Sequence, residues 1–337
     1  MSQTANELFS QPVLIAGFGS IGRRHFRNLK ELGCSNFVFY RTRRGTIPDD
    51  ESAAWPTVSE LSEIGKLGPL VAIVSNPTSE HVAVALAAVE AGCDLYLEKP
   101  VSDRLEGCEE LLAAVRRHKA VAMVGCQFRF HPLLAKLRER VHAGDLGTTL
   151  GADAEWGEYL PDWHPWEDHR ASYSARADLG GGVVLTLIHP LDYMHWMFGE
   201  IEHVQAAIRS VPALQTPAGE DWADICLRFR SGVIGRVHLD YVQRPPVHRL
   251  RVWGDKGRAE LDFHAGRLLL ELADGSRTAQ QTPPGFERNT MFLGAMRHFL
   301  DCVANRTQPT SSLDEGVAVL KTALAVKRSA AETASCA

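Results

Sequence analysis

The chain has 337 residues, more than one typical hydrophobic core, and is read as two domains, residues 1–126 and 127–337. It is 45% hydrophobic and 23% charged with a formal net charge of −5, which excludes the basic surface of a nucleic-acid or anionic-membrane binder. Its seven cysteines are scattered with no CxxC pair, which speaks against a disulfide framework or a structural zinc site. The N-terminal MSQTANELFS has no signal-peptide core, and apolar runs such as VAVALAAV (82–89) are too short to span a bilayer, so a cytoplasmic setting is expected.

Strand-length apolar runs alternate with helical periods through the first 125 residues, the pattern of a parallel sheet with crossover helices. PVLIAGFG (12–19) reads as a strand running into glycine, and IGRRHFRNLKELG (21–33) as an amphipathic helix ended by Gly33. NFVFY is a second strand, PLVAIVSNP (69–77) a later one, and SEHVAVALAAVEAG (79–92) a helix. DLYLEKP (94–100), RLEGCEELLAAVRRH (104–118) and VAMVGCQF (121–128) complete the series. The turn GFGSIG (17–22) matches the dinucleotide fingerprint: Gly17 for the tight turn, Gly19 for approach of a pyrophosphate, Gly22 for helix–strand packing. Ser20 and Ile21 open the helix, whose free N–H groups and dipole suit phosphates. Arg41, nineteen residues after Gly22, ends the second strand where a carboxylate would bond an adenosine ribose. With Arg43 and Arg44 it either forms a solvated loop or reads a 2′-phosphate; the position favours NADP(H) over NAD(H).

The second half changes texture. RSGVIGRVHLDYV (230–242), HRLRVWGDKGRAELDF (248–263) and GRLLLELADGS (266–276) read as strands joined by tight turns, an antiparallel sheet with one face available to a partner subunit. TMFLGAMRHFLDCVANR (290–306) and LDEGVAVLKTALAVKRSAAE (313–332) are closing helices. Ahead of these strands, residues 159–199 mix aromatics and charges up to GGGVVLTLIHPLD. Trp156, Trp163 and Trp166 have faces suited to sugar rings, and Arg170 or Arg176 could clamp a carboxylate bidentately. His164, Glu167, Asp168 and His169 match no standard ligand spacing, so no metal is expected. His189 precedes Pro190 at a helix start, where the dipole disfavours its charged form and suits a general base. Asp192 stands ready to orient the ring; the alternative is a capping or core histidine.

AGFGSIGRRH, VSNPTSEH, LYLEKP and GGGVVLTLIHPLD together resemble the Gfo/Idh/MocA oxidoreductases over nearly the whole chain. The resemblance implies an N-terminal Rossmann doubly wound parallel sheet and a C-terminal α/β domain with an open, mostly antiparallel sheet, often used for oligomer contacts. It implies NAD(P)-dependent chemistry on sugars, cyclitols and their derivatives. By the same resemblance Ser75, Asn76, Pro77, Glu98 and Gln127 line the cofactor, with Arg129 near the nicotinamide edge. His81 reads equally as a cofactor neighbour or a helix-surface histidine. Lys99 agrees on physical grounds, because Pro100 keeps it extended at a strand's carboxyl end. An ammonium there stabilises a developing alkoxide.

One position departs from the family pattern. Members commonly carry an aspartate three or four residues before the histidine, and Thr186 stands there instead. Acid–base work then rests on Lys99 and His189, with Tyr173, Asp178 or Asp192 assisting. Two readings follow: an oxidoreductase acting on a sugar-like or cyclitol-like polyol, as a homodimer or homotetramer, or a cofactor- and sugar-binding sensor with little turnover.

Overall fold

Residues 10–42 and 51–335 are described by the computed structural model, with side chains through 332. Two compact units emerge, one of residues up to Gln127 together with Arg288–Leu320, the other of Phe128–Glu287 and the residues from Lys321 onward.

The first unit opens with β1 (Val13–Ala16), α1 (Ser20–Glu31), β2 (Phe37–Tyr40) and β3 (Thr57–Val58). It continues through β4 (Val71–Val74), α2 (His81–Glu90), β5 (Asp94–Leu97), α3 (Cys108–His118) and β6 (Ala122–Val124). The sheet order is β3-β2-β1-β4-β5-β6 with every pair parallel, so the order reverses beside β1. In such sheets ligands bind beyond the carboxyl ends of the strands at the reversal. β1, β2, β4 and β5 are buried at every position, which explains their unbroken apolar runs.

The second unit carries α4 (Pro132–His142), β7 (Thr149–Gly157), α5 (Val183–Thr186), α6 (His189–Phe198) and β8 (Ile201–Arg209). Then come β9 (Trp222–Phe229), β10 (Ile234–Asp240), β11 (Val247–Gly254), β12 (Gly257–Asp262), β13 (Arg267–Leu272) and β14 (Arg277–Gln281). Their order is β14-β13-β12-β11-β7-β10-β9-β8, with β7 and β10 the one parallel pair among the described strands of this sheet. Alternation along β9 buries Ala223, Ile225, Leu227 and Phe229 and exposes Asp224, Cys226 and Arg228, so one face is apolar and the other charged. Two closing helices, α7 (Arg288–Asn305) and α8 (Leu313–Ser335), end the chain. No described helix is long and apolar enough to cross a membrane.

Candidate active site

The three glycines of the first turn serve different ends. Gly17 adopts φ +84°, and a Cβ there would lie 2.5 Å from the Asn76 nitrogen. At Gly22 a Cβ would lie 2.2 Å from the Gly17 carbonyl oxygen. Around Gly19 no described atom comes within 4 Å of a built Cβ, so the turn is open to a ligand at that point. α1 begins without an acidic residue in its first turn and without a side-chain cap, leaving the N–H groups of Ser20 and Ile21 to meet an anion.

Beyond β4 the predicted cofactor residues divide. Ser75 Oγ donates at 3.0 Å to the carbonyls of Ala16 and Gly17, stapling the glycine turn to the β4 end. Asn76 Nδ2 reaches Glu80 at 3.5 Å, while Asn76 Oδ1 is buried with no hydrogen-bond partner among the described residues. Pro77 precedes the short turn leading into α2. His81 is not a surface histidine: it is buried, with Nδ1 2.8 Å from the Pro100 carbonyl and Nε2 2.8 Å from the Asn76 carbonyl. Its ring ties the β4 turn to the β5 turn, and burial lowers its pKa. Gln127 is also buried, and its Oε1 has no partner among the described residues.

Lys99 and Glu98 follow β5 directly. Glu98 accepts from His25 Nε2 at 2.7 Å and from the Lys99 backbone N–H at 3.2 Å. Gly125 makes room for it, since a Cβ there would stand 2.9 Å from Glu98 Oε1. Burial pushes the Glu98 carboxyl up, but the His25 hydrogen bond and the charges of His25, Lys99 and His81 more than offset it, so its pKa lies below the ordinary value. Burial pulls the Lys99 ammonium below its ordinary pKa against the attraction of Glu98. The Glu98 carboxylate therefore sits between the His25 ring and the Lys99 backbone, beside a lysine whose charged form burial disfavours.

At the end of β2, Arg41 Nη1 donates to Ser52 Oγ at 2.8 Å, and its guanidinium lies 5.5 Å from the Phe18 ring centroid. Arg23 lies 4.9 Å from the same ring and pairs with Glu51 at 3.3 Å. Arg43 falls outside the described residues, as does Arg44.

In the second unit, Gly181 leaves no space for a side chain, as a Cβ would sit 2.3 Å from the Tyr173 carbonyl oxygen. The chain then forms α5 and α6, with His189 the first residue of α6 and Pro190 the second. His189 is buried, packed on Phe128 at 4.8 Å and on Trp156 at 5.7 Å and 24°. Asp192 does not stand ready for the His189 ring. Its carboxylate accepts from Arg129 Nε at 3.1 Å and Nη2 at 2.7 Å, with both side chains buried. The same pair engages Nε and Nη2 of the Arg129 guanidinium.

Thr186 and Tyr241 are both buried, and the Tyr241 hydroxyl donates to the Ser174 carbonyl at 3.3 Å. Burial holds the Tyr241 pKa well above its ordinary value. Trp163 packs edge-on against Tyr241 at 5.8 Å, its indole nitrogen buried with no partner among the described residues. Tyr173, half-buried, opens the short turn before Arg176. Arg170 grips Asp168 with Nε at 2.9 and 3.0 Å and Nη2 at 2.7 Å, and Arg176 grips Asp178. Each of the two arginines thus pairs with an aspartate two positions away at the surface. Trp156 lies on β7 and is buried, while Trp166 is exposed. Among the described residues no three His, Cys, Asp or Glu side chains cluster to hold a metal ion.

Residues 12–126 match the oxidoreductase family model with an NAD-binding Rossmann fold, and residues 134–260 match the GFO/IDH/MocA C-terminal domain. The chain belongs to the Gfo/Idh/MocA oxidoreductase family. Its relatives in that family include a 1,5-anhydro-D-fructose reductase of Ensifer adhaerens, 24% identical over 296 residues and 86% of each chain. A myo-inositol 2-dehydrogenase of Thermotoga maritima is 25% identical, covering 95% of this chain and 96% of that one. Among solved structures, levoglucosan dehydrogenase in complex with NADH and levoglucosan has a TM-score of 0.84 at 19% identity, covering 96% of this chain and 98% of that one. This Gfo/Idh/MocA chain is an NAD(P)-dependent oxidoreductase.

Proposed function

We propose that this oxidoreductase moves a hydride between NADP(H) and a hydroxyl-bearing carbon of a neutral sugar, anhydro-sugar or cyclitol. Lys99 carries the reading: a lysine at the carboxyl end of a central strand, its charged form disfavoured by burial and backed by the Glu98–His25 pair. A neutral substrate is in keeping with the pairing of Arg170 and Arg176 to Asp168 and Asp178. It accords with relatives named for an anhydro-fructose, an inositol and levoglucosan.

The residues present fit a dinucleotide. The open space at Gly19 and the uncapped start of α1 suit a pyrophosphate, and the unpartnered Asn76 Oδ1 and Gln127 Oε1 offer acceptors to a carboxamide. The bound nicotinamide supplies the hydride acceptor or donor. Lys99 hydrogen-bonds the reacting oxygen and stabilises its negative charge; His189 takes or returns the hydroxyl proton. Arg41, with its guanidinium beside Phe18, supports NADP(H) through charge-assisted bonds to a 2′-phosphate. The charged outer face of the second sheet is proposed to carry the partner subunit of a dimer or tetramer. A reducing, cytoplasmic setting accords with the six described cysteines being free.

Absorbance at the nicotinamide band, with NADP⁺ or NADPH and a panel of neutral sugars, cyclitols and their keto forms, tests the proposal. Turnover is expected, and Lys99→Met should abolish it. Arg41→Asp should weaken NADPH binding by about 1–3 kcal/mol and NADH binding less. Equal losses for both cofactors would refute the 2′-phosphate role.

A further inference from the structure

His189 belongs to a column of rings on the apolar face of the second sheet. Trp156 on β7 and His248 on β11 are directly opposite in the antiparallel ladder, and their rings stack at 4.4 Å with an interplanar angle of 2°. Phe263 stacks on His248 at 3.9 Å and 21°. The same indole stacks on His189 at 5.7 Å and 24°, and Phe128 packs on all three at 4.8–5.5 Å. The indole is held at its edge by Trp156 Nε1 donating to Glu158 Oε1 at 2.9 Å.

We propose that Trp156 is a positioning residue for His189, holding the imidazole in place and stabilising its protonated form through the indole face. The inference rests on His189 acting as the base. In alcohol oxidation the O–H bond breaks and its proton passes to an imidazole nitrogen, while hydride leaves the carbon for the nicotinamide. The imidazole gains a full positive charge beside the stacked indole face of Trp156. Thr186 stands where the family commonly has a carboxylate, and Asp192 is paired with Arg129.

β7 contributes Ala152, Ala154 and Trp156 to this face, and β10 contributes Gly235, Val237 and Leu239. The charged Asp153, Glu155, Arg236 and His238 alternate to the opposite face. β11 brings His248, whose Nε2 is 3.4 Å from the Tyr193 hydroxyl. His195 lies further along α6, and Arg138 and His142 of α4 meet its last turn through the carbonyls of Trp196 and Met197. A cation held over an indole in a desolvated site is stabilised more than one in water.

The test is a histidine ¹⁵N titration of the full chain, with His189 assigned through His189→Asn. Losing a group that favours the imidazolium lowers the pKa, so Trp156→Leu should drop it by about half a unit to one unit. Trp156→Phe, which keeps an aromatic face, should fall between wild type and Trp156→Leu. In kcat/KM against pH the acid limb should move to lower pH in the same order, with a lower plateau because the base is weaker. An unchanged His189 pKa in a folded Trp156→Phe or Trp156→Leu variant overturns the proposal. A shifted pKa with an unmoved rate profile leaves the platform standing and refutes His189 as the base.

Discussion

Gly17, Gly19 and Gly22 are spaced as one motif, yet their environments call for different substitutions to test them. Gly19→Ala meets nothing among the described atoms and occupies an extended backbone, so the free protein should keep its melting temperature. It should nevertheless bind NADPH more than about tenfold more weakly, or about 1.4 kcal/mol, because the methyl group enters the space left for the pyrophosphate. Gly22→Ala drives a methyl group onto the Gly17 carbonyl and should cost at least about 1–3 kcal/mol of stability even without cofactor. Thermal melts of both variants, with NADPH titrations by fluorescence, separate the two; a normal melt for Gly22→Ala would contradict the packing role. The glycine turn and the place of Lys99 just beyond β5 were legible because both depend on local geometry, a tight turn and a strand end. Arg170, His81 and Asp192 were not. Their partners, Asp168, the carbonyls of Asn76 and Pro100, and Arg129, decide what each side chain does, and a list of residue types does not reveal which pairings form.

At the scale of elements, α6 shows where local reading ends. Pro190 at its start and the dipole argument for His189 follow from neighbouring residues. The anchor of its first turn does not: Asp192 is met by Arg129, which lies 63 positions earlier. Such a buried pair is costly to break from one side. Asp192→Asn or Arg129→Met alone should lose about 3–5 kcal/mol by leaving one charge uncompensated, whereas Arg129→Met combined with Asp192→Leu should lose less than either alone. Denaturant unfolding of the three variants gives the cycle, and simple additivity would show that the pair is not coupled. β7 was readable in principle. GADAEWG alternates small apolar and acidic residues at a period of two, which puts Ala152, Ala154 and Trp156 on one face. Counting Trp156 with Trp163 and Trp166 as a loop cluster hid that alternation. The meeting of Trp156 and His248 depends on β7–β11 register across 92 residues and leaves no local mark.

For the whole molecule, chain order and spatial order part company at the closing helices. Both α7 and α8 were legible as helices from their periods, but the packing of α7 depends on contacts spanning most of the chain. Phe299 packs edge-on against Tyr96 at 5.5 Å, and Phe292 lies 6.2 Å from His25. Asn289 exchanges amide hydrogen bonds with Asn28 at 2.9 and 3.3 Å, and Arg306 reaches Asp94 and the Lys119 carbonyl. Met123 forms a bridge with Ser312, continuing the hydrogen bonding of the β6 edge. Each of the buried phenylalanines contributes about 1.5–3 kcal/mol, a large share of a typical net stability of about 5–15 kcal/mol. Residues 1–127 expressed alone should therefore fail to unfold cooperatively and should not bind NADPH, although they contain the glycine turn, Arg41 and Lys99. Joining 288–320 to that fragment through a flexible linker should restore both properties, because it returns the partners of Tyr96, His25 and the β6 edge. Circular dichroism melts and NADPH titrations of the two fragments decide the matter. A cooperative, cofactor-binding 1–127 fragment would mean that the closing helix is dispensable to the Rossmann core.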